Sequence, residues 1–111
     1  MNHRRASNIE VKKINRNRTF RYINRLSRVS KTEVASALGI SLPTVIQNIN
    51  ELIHQGLVRE EGEFKSTGGR KASAITAIRN RHNAIGVEIT RNHIGLVVSD
   101  LSGEILIHRR I

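Results

Sequence analysis

The chain of 111 residues has no cysteine, a single proline (Pro43) and only three aromatic side chains, Phe20, Tyr22 and Phe64. The missing cysteine excludes disulfide scaffolds, thiolate nucleophiles, Cys-ligated zinc and iron–sulfur clusters. With so few aromatics there is little on which to stack unpaired bases, which argues against a single-stranded nucleic acid as ligand. No apolar run approaches the length of a membrane span, and Met-Asn-His-Arg-Arg at the amino end is followed by polar residues, not by the apolar stretch of a secretory signal. A membrane partner is therefore not expected, and the cytoplasm is the expected location. Acidic residues are scarce as well. Nine Asp and Glu stand against nineteen Lys and Arg, a formal net charge of +10.

At 38% apolar residues the chain can still bury a core. Its charge is concentrated at one end. Residues 1–50 hold ten Lys/Arg and two Glu, while residues 51–111 hold nine Lys/Arg and seven acids. A basic half followed by a nearly neutral half points to a polyanion-binding part joined to something else, and the aromatic shortage makes duplex DNA the expected polyanion. His3, His54, His82, His93 and His108 show no ligand spacing, so neither a metal nor another cofactor is expected.

Residues 1–16 read as a basic, loosely ordered arm with helical character towards its end. From about 17 to 27, Thr19, Phe20, Tyr22, Ile23 and Leu26 gather on one side of a helical wheel, with Arg18, Arg21, Arg25 and Arg28 mostly elsewhere. Ser30-Lys31-Thr32-Glu33 is a capping box: the Ser30 hydroxyl can accept from the Glu33 N–H while the Glu33 carboxylate reaches back to the Ser30 N–H. Val34, Ala35 and Leu38 supply the buried side of this short second helix, and Gly39 follows where a left-handed residue ends it. Ser41 is the next N-cap, Pro43 is tolerated in the first turn, and Val45, Ile49, Leu52 and Ile53 repeat with helical spacing up to Gly56. Thereafter the period changes. Leu57–Glu60 and Ala72–Ile78 read as two strands joined through Ser66-Thr67-Gly68-Gly69-Arg70-Lys71. Residues 80–83 are a polar link. Ala84–Thr90, His93–Asp100 and Glu104–His108 are β-rich runs separated by Arg91-Asn92 and Ser102-Gly103.

Helix, short helix, Gly turn, longer helix and β-hairpin make a winged helix-turn-helix pattern over 17–79, followed by a short β-meander over 84–111, an α+β class overall. Ala35, Gly39 and Val45 are small, flexible and apolar, as two steeply crossing helices require. Thr44, Gln47, Asn48 and Asn50, with Glu51 and His54 further along, are expected on the exposed face of the third helix. Amide side chains can bond adenine bidentately and a Thr methyl can touch the thymine methyl. Gly68-Gly69 lets the backbone approach a surface closely, and Arg70-Lys71 can place a cation in a narrow minor groove. The basic helix-one region, Lys31 and Thr32 are expected on phosphates.

The order of these motifs resembles the N-terminal part of ROK-family (repressor, open reading frame, kinase) transcriptional repressors. The resemblance rests on Ile14-Asn15-Arg16, Ser30–Ala35, Gly39-Ile40-Ser41, Pro43-Thr44-Val45, Glu51-Leu52-Ile53 through Gly56-Leu57-Val58, and the Ser66–Lys71 wing. Downstream, Ala84–Thr90 and Val98–Ile105 look like the opening strands of the family's actin-like, sugar-kinase-like domain, of which only the start would be present. The resemblance implies a bacterial, nucleoid-associated regulator of sugar uptake or catabolism genes that binds an operator as a homodimer. A sugar effector is implied only for a full-length relative. The expected DNA-facing set is Lys31, Thr32, Ser41, Pro43, Thr44, Gln47, Asn48, Ser66, Gly68, Gly69, Arg70 and Lys71. Asn48 departs from the apolar residue usual in relatives, which implies either a less tightly packed inner edge of the third helix or a side chain facing DNA. Glu88-Ile89-Thr90-Arg91-Asn92 stands where kinase relatives carry an Asp-x-Gly-x-Thr phosphate loop, and without that Gly no ATP site is expected. Together with the missing Cys this weighs against an enzyme, and Asp100, in a hairpin-turn sequence, makes a poor general base. The alternative reading is a non-inducible or non-specific DNA-binding fragment whose strands over 84–111, with open edges, serve dimerisation or interaction.

Overall fold

The computed structural model describes residues 3–65 and 71–111, with side chains from Ser7 onward. The chain divides into two units, Met1–Ala77 and Ile78–Ile111. In the first, α1 (His3–Arg25), α2 (Lys31–Leu38) and α3 (Leu42–His54) precede an antiparallel hairpin of β1 (Val58–Glu63) and β2 (Ser73–Ala77).

The expected loose arm over 1–16 is instead helix from His3 onward, continuous with the rest of α1. Its residues are good helix formers, and neither Gly nor Pro occurs before Gly39 to end it. The period was hard to see because the apolar side chains here are uncovered: Ile9, Val11 and Ile14 are 65%, 50% and 56% exposed. An apolar stripe begins only where α1 meets the other helices.

The core of this unit is built from Ile23, Val29, Val34, Val45, Ile49, Leu52, Val58 and Ile75, flanked by Phe20, Tyr22, Leu26, Ala35, Leu38 and Ile40. Ile53, expected inside, is 37% exposed, because Val45, Ile49 and Leu52 already fill the inner stripe and Ile53 falls on its edge. The capping box at Ser30 forms in both directions, Glu33 N–H to Ser30 Oγ at 3.1 Å and Ser30 N–H to Glu33 Oε2 at 3.3 Å. Gly39, at φ 64°, closes α2 in the left-handed region and turns the chain towards α3. Val29, between α1 and α2, exchanges backbone hydrogen bonds with Ile75 at 3.0 and 2.7 Å, which ties the hairpin to the helices.

β1 runs three residues beyond the expected Glu60 because its register slips through a bulge between Glu60 and Glu63. Gly62 sits in that bulge at φ 72°, where a side chain would be strained and its Cβ would lie 3.2 Å from Arg28 Nη2. Arg28 Nη2 donates to the carbonyls of Glu61 and Glu63 at 3.4 and 3.0 Å, and its guanidinium lies over the Phe64 ring, 4.9 Å from the centroid. The hairpin is thus pinned at the turn-side end of β1 by a cation from the α1–α2 link.

The second unit is a three-stranded antiparallel meander in the order β3 (Ala84–Ile89), β4 (Ile94–Ser99), β5 (Ile105–Arg110). The pairs Ile85–Val98, Val87–Leu96 and Ile89–Ile94 collect apolar side chains on one face. The Asp-Leu-Ser-Gly sequence is a tight turn between β4 and β5. Asp100 Oδ1 accepts from Ser102 Oγ (2.6 Å), Ser102 N–H (2.8 Å) and Glu104 N–H (3.0 Å), and the Ser102 hydroxyl bond foremost holds its carboxyl below the usual carboxylate range. That carboxylate is occupied in shaping a turn.

Candidate nucleic-acid interface

α3 presents one side to the core and the other to solvent. Its outer face carries Pro43, Gln47, Asn50 and His54, with Ile46 on one edge and Glu51 on the other. Neutral amides at successive turns are what base edges in a major groove can pair with. Ser41 precedes the helix in an extended conformation but accepts no cap hydrogen bond through its side chain; its hydroxyl lies 2.8 Å from Thr44 Oγ1 instead. Pro43, lacking an N–H, occupies the first turn. Thr44, expected on the exposed face, is half-buried, so the amino end of α3 offers the exposed Ser41 hydroxyl with Thr44 behind it, beside backbone donors, an arrangement suited to anions.

The Ile46 edge borders a groove lined by Ser30, Lys31, Thr32, Leu42 and Ser73, where the amino ends of α2 and α3 meet the start of β2. Thr32 is exposed there, its Oγ1 3.2 Å from Ser30 Oγ. Lys31, expected on phosphates, is half-buried, with Nζ 3.1 Å from Glu60 Oε1 of the hairpin. It can serve a phosphate only by leaving that carboxylate, a weak attachment for a partly exposed pair. Lys71 is exposed, while Ser66, Gly68, Gly69 and Arg70 lie outside the described residues.

One expected member of the set does not belong to it. Asn48 is only 6% exposed and turns inward, its Nδ2 donating to Thr19 Oγ1 at 3.5 Å, while Thr19 Oγ1 donates to the Asn15 carbonyl at 2.8 Å. The position lies between Val45 and Leu52 on the inner stripe, so its polarity records a partner inside the protein and not a base outside it. Conversely, sequence reasoning passed over Arg16. It projects from α1 to within 3.5 Å of Glu51 at the edge of the outer face of α3. The available signal was helical spacing, since Arg16 lies on the same side of α1 as the buried Thr19 and Ile23. Other α1 cations are engaged elsewhere: Arg18 donates to the Leu38 carbonyl at 3.2 Å, and Arg25 lies over the Tyr22 ring.

Residues 15–59 match the family of winged helix-turn-helix DNA-binding domains. The chain is 34% identical over 97 residues to the DNA-binding transcriptional dual regulator NagC of Escherichia coli K12, covering 86% of this chain and 24% of that protein. It is 26% identical over 97 residues to the xylose repressor of Bacillus subtilis 168, covering 87% of this chain and 25% of the relative. The crystal structure of a ROK-family transcriptional regulator, a homologue of the E. coli Mlc protein, superposes with a TM-score of 0.72 over 91% of this chain and 26% of the other, at 20% identity. The chain is similar in sequence to NagC and the xylose repressor, and in fold to the N-terminal region of a ROK-family regulator. It spans about a quarter of the length of the NagC and xylose-repressor relatives it matches. The winged-helix match takes in α2, α3 and the second part of α1, the elements that carry and brace the outer face just described. Among the described residues, no helix is long and apolar enough to cross a membrane.

Proposed function

We propose that this chain acts as the DNA-reading part of a transcriptional repressor of sugar uptake or catabolism genes, working in the bacterial cytoplasm without catalytic activity. The observation that carries the reading is the outer face of α3, where Gln47 and Asn50 stand exposed between an anion-ready amino end and a basic flank. Thr44 and Ser41 extend this face, Pro43 keeps its start free of a bulky side chain, and Lys31 and Thr32 set the register on phosphates. The Gly-Gly-Arg-Lys segment between β1 and β2 supplies cations to the neighbouring minor groove. The names of the relatives support the regulated class, since they are regulators or repressors of N-acetylglucosamine or xylose systems.

In this reading residues 17–79 form the DNA-binding domain, 80–83 a link, and 84–111 the opening strands of an effector domain on which, in longer relatives, a sugar acts. Binding is as a homodimer on a palindromic operator. The apolar face of the second unit favours self-association: Ile85, Val87 and Ile89 are 68%, 60% and 76% exposed. A kinase reading finds no support at Glu88–Asn92, where β3 ends without the Gly a phosphate loop needs.

The test is a salt titration of binding to duplex DNA, comparing an operator-like palindrome with A/T-rich flanks against scrambled sequence. Preference for the palindrome that survives physiological salt is expected, together with a steep fall in affinity as salt rises. Equal binding to both sequences, erased by salt, would contradict a sequence-specific regulator.

A further inference from the structure

For a helix read as entering the groove of a polyanion, α3 has an unusual charge. It holds no Lys or Arg, and its one permanently charged residue is an acid, Glu51. Glu51 is also the only acid between Glu33 and Glu60. It follows Gln47 by one helical turn and neighbours Asn50, so it stands beside the two amides assigned to base edges. A carboxylate there faces the phosphate walls of the groove, and at short range that repulsion opposes docking.

The structure supplies a counter-charge from another element. Arg16 Nη1 of α1 lies 3.5 Å from Glu51 Oε2, and the two side chains keep 29% and 45% of their surface exposed. A pair this wet gains little from itself and is open to exchange with an outside anion. Ile46 and Glu51 lie about 140° apart around α3, given about 100° per residue. The Ser30–Thr32 flank thus borders one edge of the reading face and Arg16 the other, which suits phosphates on the two walls of one groove.

We infer that Arg16 and Glu51 form an exchangeable ion pair that makes DNA binding selective. This rests on the DNA-reading assignment of α3. On a mismatched duplex, Arg16 stays with Glu51 and neutralises no phosphate. On a matched site, a phosphate takes the Arg16 guanidinium, and the released Glu51 carboxylate accepts from an exocyclic amino group, the cytosine N4 donor of the major groove. At a site without such a donor, exchange would strand the carboxylate, so the pair holds and the phosphate contact is forgone.

The experiment is a double-substitution cycle on the full chain: parent, Glu51→Gln, Arg16→Gln and both together, each bound to palindromic and scrambled duplexes across a salt series. Glu51→Gln should bind scrambled DNA more tightly than the parent, because Arg16 is freed for one further phosphate. That contact steepens the salt slope by about 0.9, so the gain shrinks about three- to fourfold between roughly 0.05 and 0.2 M salt. The added slope should be absent when Glu51→Gln is made on Arg16→Gln, and the ratio of palindrome to scrambled affinity should fall in Glu51→Gln. Unchanged slope in Glu51→Gln, or the same added slope with Arg16 already replaced, would overturn the exchange. So would a lowered melting temperature in both single variants with no change in DNA binding, the mark of a simple strut between α1 and α3. If the parent shows no affinity for any duplex, the DNA-reading assignment itself falls and takes this inference with it; if the parent binds, the cycle alone decides.

Discussion

Replacing Gln47 with Ala is expected to lower the preference for operator over scrambled duplex by about 5- to 150-fold, the equivalent of the roughly 1–3 kcal/mol that one good bidentate base contact contributes to discrimination. Gln47 is exposed at the centre of the outer face of α3 and makes no packing contribution that its loss would remove. Binding to scrambled DNA, which is driven by phosphate contacts, should change little. Asn50→Ala, one position along the same face, should act in the same direction. Equal losses on matched and scrambled duplexes would show that these amides do not read bases, and competition binding at fixed salt measures the difference directly.

The second large effect is expected inside the protein. Thr19 is buried and gives its hydroxyl proton to Asn15, leaving a lone pair to accept from the Asn48 amide. Thr19→Val removes that acceptor and strands a buried amide, at a cost of about 1–3 kcal/mol. Asn48→Leu, similar in volume, leaves the Thr19 hydroxyl bonded to the α1 carbonyl and should cost less. The double variant Thr19→Val/Asn48→Leu replaces a polar contact by an apolar one between the same two helices. It should be at least as stable as the parent, a coupling of about 1 kcal/mol or more. Thermal unfolding of the four proteins measures this, and simply additive losses would contradict it. Because Asn48 faces inward, Asn48→Leu should also leave DNA binding intact, unlike Gln47→Ala.

These two neighbouring residues show what the sequence makes legible and what it does not. Local signals were readable: the Ser30–Glu33 capping box, Gly39 in its left-handed turn and the Val45, Ile49, Leu52 stripe each involve residues within a few positions of one another. Asn48 misled because polarity is an exterior signal only on average. A buried amide is tolerated when another element brings a partner, and Thr19 is 29 residues away. Arg16 went unnoticed for the same reason, since its meaning lies in Glu51 on a different helix. The early part of α1 gave no period because its apolar residues Ile9, Val11 and Ile14 are uncovered. At the hairpin, Glu61-Gly62-Glu63 resembles a turn, and only Arg28, which bonds the carbonyls on both sides of Gly62, shows why the strand continues.

That α3 carries the reading face is tested most directly by following the backbone amide resonances of the isotopically labelled chain during titration with a duplex operator. The largest shifts are expected at Lys31 and Thr32 and along α3 from Thr44 to His54, with the outer strands β3 and β5 little changed. Shifts concentrated in β3–β5, with α3 unmoved at saturating DNA, would contradict it.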